Sequence, residues 1–165
     1  MDSTQDTKRF AVKGKVKIIS GSVINPEMAG LRLILNAVNT AGKTDSDLEN
    51  LLDKKWKKVK AEVRGWFVNK TGAYKLGAVN TIAVQSDVWI LNMLCKDDNL
   101  MMSEKGLEAC LAEVAKLAKY EQASVHVSSF LLKEMPNAQE LLNKHFSNNG
   151  ILTCIYDDDA LVKKT

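Results

Sequence analysis

The chain has 165 residues, 45% hydrophobic and 26% charged, with 23 basic and 20 acidic side chains for a net charge of +3. That composition excludes a disordered or fibrous chain, and the basic excess is too small to argue for nucleic acid on its own. No apolar run is long enough to span a membrane, and the polar start MDSTQDTKRF lacks the apolar stretch of a signal peptide, so a cytoplasmic protein is expected. The three cysteines, Cys95, Cys110 and Cys154, are odd in number and lack CxxC spacing, which argues for reduced core thiols and against a disulfide framework or a metal site.

In chain order, residues 1–10 read as a polar lead-in to a first strand, Lys15–Ser20. A turn follows through Gly21, Ser22, Val23, Ile24, Asn25 and Pro26, the proline pushing Asn25 into an extended conformation. Leu31–Val38 is apolar on both faces, as an interior strand of a helix-covered sheet is, and Asn36 and Asn39 arrive at its C-terminal end. Ligands of open α/β sheets lie just beyond the carboxyl ends of strands, so these asparagines are candidate ligand contacts. The loop Thr40–Asp47 offers Asp45, Ser46 and Asp47 as helix caps. Leu48, Leu51, Leu52, Trp56 and Val59 then recur at helical spacing, and a second helical piece runs on to about Val68, with Lys54, Lys55, Lys57, Lys58 and Lys60 mostly on the polar face.

Gly77–Gln85 and Val88–Leu94 are joined across Ser86 and Asp87, a link short enough to require an antiparallel hairpin. Ser103 opens the clearest helix, carrying Leu107, Cys110, Leu111, Val114, Leu117 and Ala118 on one face. Ala123–Ser128 is a short strand, Ser129–Asn137 a loop, and Leu141 and Leu142 mark a further helix that stops at Asn148, Asn149 and Gly150. Ile151–Tyr156 is the last strand, and 158–165 a polar tail. Strands alternating with helices around one hairpin predict an α/β fold: a three-layer αβα sandwich with a mixed, mostly parallel central sheet, in a single domain over 1–165.

In order and spacing these segments resemble the macro domain family, the ADP-ribose-binding fold, and within it the compact bacterial and phage type. KIISGSVINP at 17–26 resembles the family's first strand and turn; LNAVNTAG at 35–42 resembles its Asn-x-x-Asn strand end. Lys54-Lys55-Trp56 is similar to the basic-aromatic end of the next helix, LGAV at 76–79 and DVWILNM at 87–93 to the hairpin, ASVHV at 123–127 to the strand before the second phosphate loop, and 150–157 to the closing strand. The resemblance implies ADP-ribose or a related nucleotide as partner. It would place adenine against the turn at Gly21, Ser22 and Val23, the distal ribose against Asn36, Asn39 and their loop, and phosphate near Gly42, Lys43, Ser128 and Ser129, with Phe130 a candidate for stacking on the base.

The loops depart from the family's pattern. The first loop keeps one glycine, Gly42, and the second, from Ser128 to Asn137, keeps none and carries Phe130, Leu131 and Leu132. A diphosphate is usually cradled by backbone amides that glycine lets come close. The acidic residue expected after Gly21 is Ser22, and the second-loop aspartate that some relatives use in catalysis has no counterpart. Lys54 or Lys55 matches a lysine that some relatives use in catalysis, and also suits a solvent-facing helix. His126 fits a satisfied core histidine, and no nucleophile–base pair stands out. No residue is therefore assigned to catalysis, no cofactor or metal is implied, and no membrane partner. The lysines around Trp56 lack the aromatic interleaving of a single-strand binder. Three readings follow: a nucleotide-binding module without efficient hydrolysis, an ADP-ribosyl hydrolase or ADP-ribose 1″-phosphate phosphatase, and a protein-interaction module whose cleft Phe130, Leu131 and Leu132 fill.

Overall fold

The computed structural model describes residues 16–44, 46–69 and 74–158. The lead-in 1–10, Lys15 of the first strand, the cap candidate Asp45, loop residues 71–73 and tail residues 159–165 lie outside them. The elements are β1 (Val16–Ile19), β2 (Arg32–Asn39), α1 (Asp47–Lys55), α2 (Val59–Asn69), β3 (Val79–Gln85), β4 (Val88–Lys96), α3 (Glu104–Glu121), β5 (Ser124–Ser128), α4 (Ser129–Glu134), α5 (Ala138–His145) and β6 (Thr153–Tyr156), with a 3₁₀ turn at Ser147–Asn149.

Among the described residues six strands form one sheet in the order β1-β6-β5-β2-β4-β3. All neighbours are parallel except β3 and β4, the hairpin. Between the helices this is an αβα sandwich with a mixed, mostly parallel sheet. β2 lies inside it, hydrogen-bonded to β5 on one side and β4 on the other, which is why Leu33, Ile34, Leu35, Ala37 and Val38 are all buried. Helix α3 packs on β4 and against α5; α1 contacts α2 and α4. Leu107, Cys110, Leu111, Val114 and Ala118 form the buried stripe of α3, which Ser103 caps by accepting from the Gly106 amide. All three cysteines are free and buried. Burial pushes the Cys110 thiol up to about 12 and that of Cys154 to about 11, so both remain protonated core groups. Among the described residues no helix is long and apolar enough to cross a membrane.

Two local expectations change. Trp56 does not continue the apolar stripe inside a helix. Helix α1 ends at Lys55, and Trp56 is extended, its amide still donating to the Leu52 carbonyl. The expected loop Ser129–Asn137 begins as helix α4. Ser128 caps it by accepting from the Phe130 amide at 3.1 Å, and Leu131 is buried, so capping and one apolar anchor fix the short helix.

A buried polar chain crosses β5 and β6. Ser124 Oγ lies 2.7 Å from His126 Nε2, His126 Nδ1 lies 2.7 Å from Tyr156 Oη, and the Glu27 amide donates to Tyr156 Oη at 2.9 Å. The amide can only donate, so the tyrosine accepts there and gives its own proton to Nδ1. That leaves the imidazole proton on Nε2, aimed at Ser124 Oγ. Burial, with the nearby Arg32 charge, holds His126 at about 3, so the ring is neutral.

Candidate nucleotide-binding edge

The C-terminal ends of β1, β2 and β5 share one edge of the parallel sheet. Three segments meet the solvent there, each carrying part of the candidate set.

The turn after β1 is folded by its own serine. The Asn25 amide donates to the Ser22 carbonyl at 3.0 Å, and the Ile24 amide to Ser22 Oγ at 3.3 Å. Gly21 precedes it, half-buried. Val23 is fully buried, and its amide donates to Asp158 Oδ1 at 3.0 Å. A carboxylate does reach this turn, then, but it comes from the second residue beyond the last strand. Lys55 Nζ donates to the Ile24 carbonyl at 2.6 Å and to Asn25 Oδ1 at 2.9 Å, so this lysine fastens α1 to the turn. Lys54 is exposed.

Asn36 and Asn39 do not converge. Asn36 lies inside the sheet with no exposed surface, donating to Asn92 Oδ1 at 2.8 Å; Asn92 donates in turn to Asn80 Oδ1 at 3.1 Å. This amide ladder crosses β2, β4 and β3. Asn39 sits past an irregularity in the β2–β4 register and turns into its own loop. Its Nδ2 donates to the Lys43 carbonyl at 2.8 Å, and its Oδ1 accepts the Lys43 amide at 3.0 Å. The loop is held from outside as well. The Thr40 amide donates to the Lys96 carbonyl, Thr40 Oγ1 donates to Asp98 Oδ1, and Tyr74 Oη donates to the Asn39 carbonyl at 2.6 Å. Burial, then the Glu49 charge, push Tyr74 up to about 12, so it keeps the proton it donates. Gly42 has φ +72°, and a β-carbon there would lie 2.5 Å from the Phe67 ring. Glycine is needed here both for backbone handedness and for the ring's approach.

Beside this loop is a cavity of about 660 Å³ lined by Gly42, Lys43, Thr44 and Glu49, and by Lys60, Ala61, Val63 and Arg64 of α1–α2 and their surroundings. The third segment is the β5–α4 junction. Ser128 is buried and spends its hydroxyl on the cap, Ser129 begins the helix, and Phe130 is half-buried with the Lys133 ammonium 5.9 Å from its ring centre. The far end of α4 is tied down by Glu134, whose carboxylate accepts from the buried Lys96 ammonium at 3.3 Å.

Gly21, Ser22 and Val23, then Asn39, Gly42 and Lys43, and finally Ser128, Ser129 and Phe130 thus occupy one edge, while Asn36 is placed within the sheet. Lys60, Arg64, Phe67, Tyr74, Lys96 and Asp158 also belong to this edge or its supports and carried no sequence motif. Spacing could have revealed one pair: Lys60 and Arg64, four residues apart, share a helix face. The edge brings together cations and an aromatic ring, groups that suit anion and base recognition, beside the carboxylates of Asp158 and Glu49.

No family model matches the chain, and no curated protein matches it. Solved structures do. A macrodomain protein from Streptomyces coelicolor superposes with a TM-score of 0.79 at 23% identity, over 87% of this chain and 99% of that one. The chain has the macrodomain fold. A Bacteroides thetaiotaomicron protein of unknown function matches as well (TM-score 0.79, 22% identity, 88% and 99% covered), and so does the macrodomain of Mycobacterium tuberculosis DarG (0.69, 16%, 87% and 98%). Thermosipho africanus DarTG, solved in complex with ADP-ribose, matches over 87% of this chain and 42% of that one, with a TM-score of 0.66 at 16% identity. Against the macrodomain pattern described above, the second glycine loop is replaced here by α4, and the first is closed by side chains.

Proposed function

We propose that this macrodomain binds ADP-ribose or a related nucleotide at the C-terminal edge of its sheet, without efficient hydrolysis. The observation that carries this reading is the Asn39–Lys43 clamp. It holds the loop after the central strand rigid beside a 660 Å³ cavity, at the edge where ligands of parallel sheets lie. The T. africanus neighbour, solved with ADP-ribose, supports the choice of ligand. The weak hydrolysis follows from how the polar groups are used. Asn39 is engaged by its own loop, Lys55 by the first turn and Ser128 by a helix cap, so these three candidate groups already serve the structure.

Isothermal titration of the full chain with ADP-ribose tests the reading. Saturable binding is expected, with no release of ADP-ribose from an ADP-ribosylated protein beyond the buffer control. Release above that control would replace it with the hydrolase reading. Absence of saturable heat at millimolar ligand would leave the interaction-module reading, which the packing of Leu131 in place of an open second loop favours.

A further inference from the structure

We infer that phosphate recognition in this chain has moved from backbone amides to side-chain cations, and that the cavity bounded by Lys43, Lys60 and Arg64 takes a diphosphate group. The argument begins with the amides. In the first loop the Thr40 amide goes to the Lys96 carbonyl, that of Gly42 to the Asn39 carbonyl and that of Lys43 to Asn39 Oδ1. At the start of α4 the Phe130 amide is taken by Ser128. These four amides, two flanking the one glycine of the first loop, already serve the fold, so an anion at this edge gains from other donors.

Three cations line the cavity, and two are pre-positioned. Lys43 is held on both sides of its backbone by the Asn39 side chain, which is buried. Arg64 stacks on Phe67, 5.5 Å from the ring centre, and its Nη1 donates to the Gly42 carbonyl at 3.4 Å, leaving the rest of the guanidinium fork unused by that bond. Phe67 in turn rests on Gly42. Lys60 stands one turn before Arg64 on α2 and lines the same cavity, and its amide donates to Asp53 Oδ1 at 3.0 Å. Glu49 also lines the cavity but is buried and accepts from Thr44, so three cations face one carboxylate. A pre-oriented guanidinium with two ammonium groups is the side-chain equivalent of an amide nest for a multiply charged phosphate. The inference rests on the proposed function only for the identity of the molecule that carries the diphosphate.

Inorganic pyrophosphate is the probe, read by thermal shift and titration calorimetry on the full chain. The wild type should bind it, with affinity falling steeply as potassium chloride is raised. Lys60→Glu and Arg64→Glu should each weaken binding roughly tenfold or more. Should Arg64→Glu disturb the Phe67 stack, Lys60→Glu, at a half-buried position away from that ring contact, carries the test alone. No pyrophosphate binding, or binding unchanged in Lys60→Glu, overturns the inference. ADP-ribose is titrated in parallel. If it binds the wild type and Lys60→Glu equally, the cation site falls and the proposed function stands. If pyrophosphate binds through the cations and ADP-ribose does not bind, the proposed function falls and the cation site stands.

Discussion

Asn36 and Asn39 are three positions apart on one strand and have opposite roles. Asn36, opposite Asn92 in the parallel register, donates into a ladder of amides within the sheet, while its own buried Oδ1 has no hydrogen-bond partner among the described residues. Asn39, one step past the register irregularity, becomes the internal brace of a loop. The brace is worth two hydrogen bonds made by a side chain 1% exposed. Replacing Asn39 by alanine should therefore cost about 1–3 kcal/mol. Urea denaturation measures that loss, and hydrogen exchange should show the Lys43 amide opening faster. An unchanged urea midpoint together with unchanged Lys43 exchange would count against the clamp. Asp158 makes the same point from the other end of the chain. By composition it starts an acidic tail, yet it is buried and holds the Val23 amide.

At the scale of elements, the first loop is set by the contact between Gly42 and Phe67. Alanine at position 42 would have to adopt a left-handed backbone and push its β-carbon into a ring 2.5–2.7 Å away. The backbone part costs about 1 kcal/mol, and overpacking adds about 1–3 kcal/mol. Phe67→Ala made together with Gly42→Ala should recover the steric part and leave the backbone part, so the two changes will not add. Chemical denaturation of the two single variants and the double variant reads this directly; simple additivity would sink the account. This loop also shows what the sequence made legible. α3 was readable because its apolar spacing repeats for long enough to define a period, β2 from its unbroken apolar run and the hairpin from its two-residue link. Helix α4 was not, because six residues give fewer than two turns and three adjacent apolar side chains show no helical stripe. Lys60 read as part of a solvated face, since helical spacing shows which side turns from the core. It does not show that a loop some twenty residues earlier in the chain folds beside that face, and only tertiary structure brings Gly42 to Phe67.

On the scale of the whole molecule, the Ser124–His126–Tyr156 chain links β5 and β6 to the segment after the first turn through the Glu27 amide. Its direction requires a neutral imidazole, and that gives stability a dependence on pH whose sign can be worked out. Burial lowers His126 from 6.5 to about 3 in the folded chain. Between those values the unfolded chain binds a proton that the folded chain refuses, so stability is complete above 6.5 and declines as pH falls towards 3. The slope this group can impose is at most about 1.4 kcal/mol per pH unit. His126→Gln keeps a donor and an acceptor in the chain and removes the titration. Urea midpoints for the two proteins at about pH 7 and about pH 5 should therefore diverge, the wild type losing more on acidification. Carboxylates and the second histidine contribute equally to both proteins, so the difference between the slopes belongs to His126. Parallel slopes would mean that the imidazole is not held neutral, and the assignment of a single ring proton, on Nε2, would have to be abandoned.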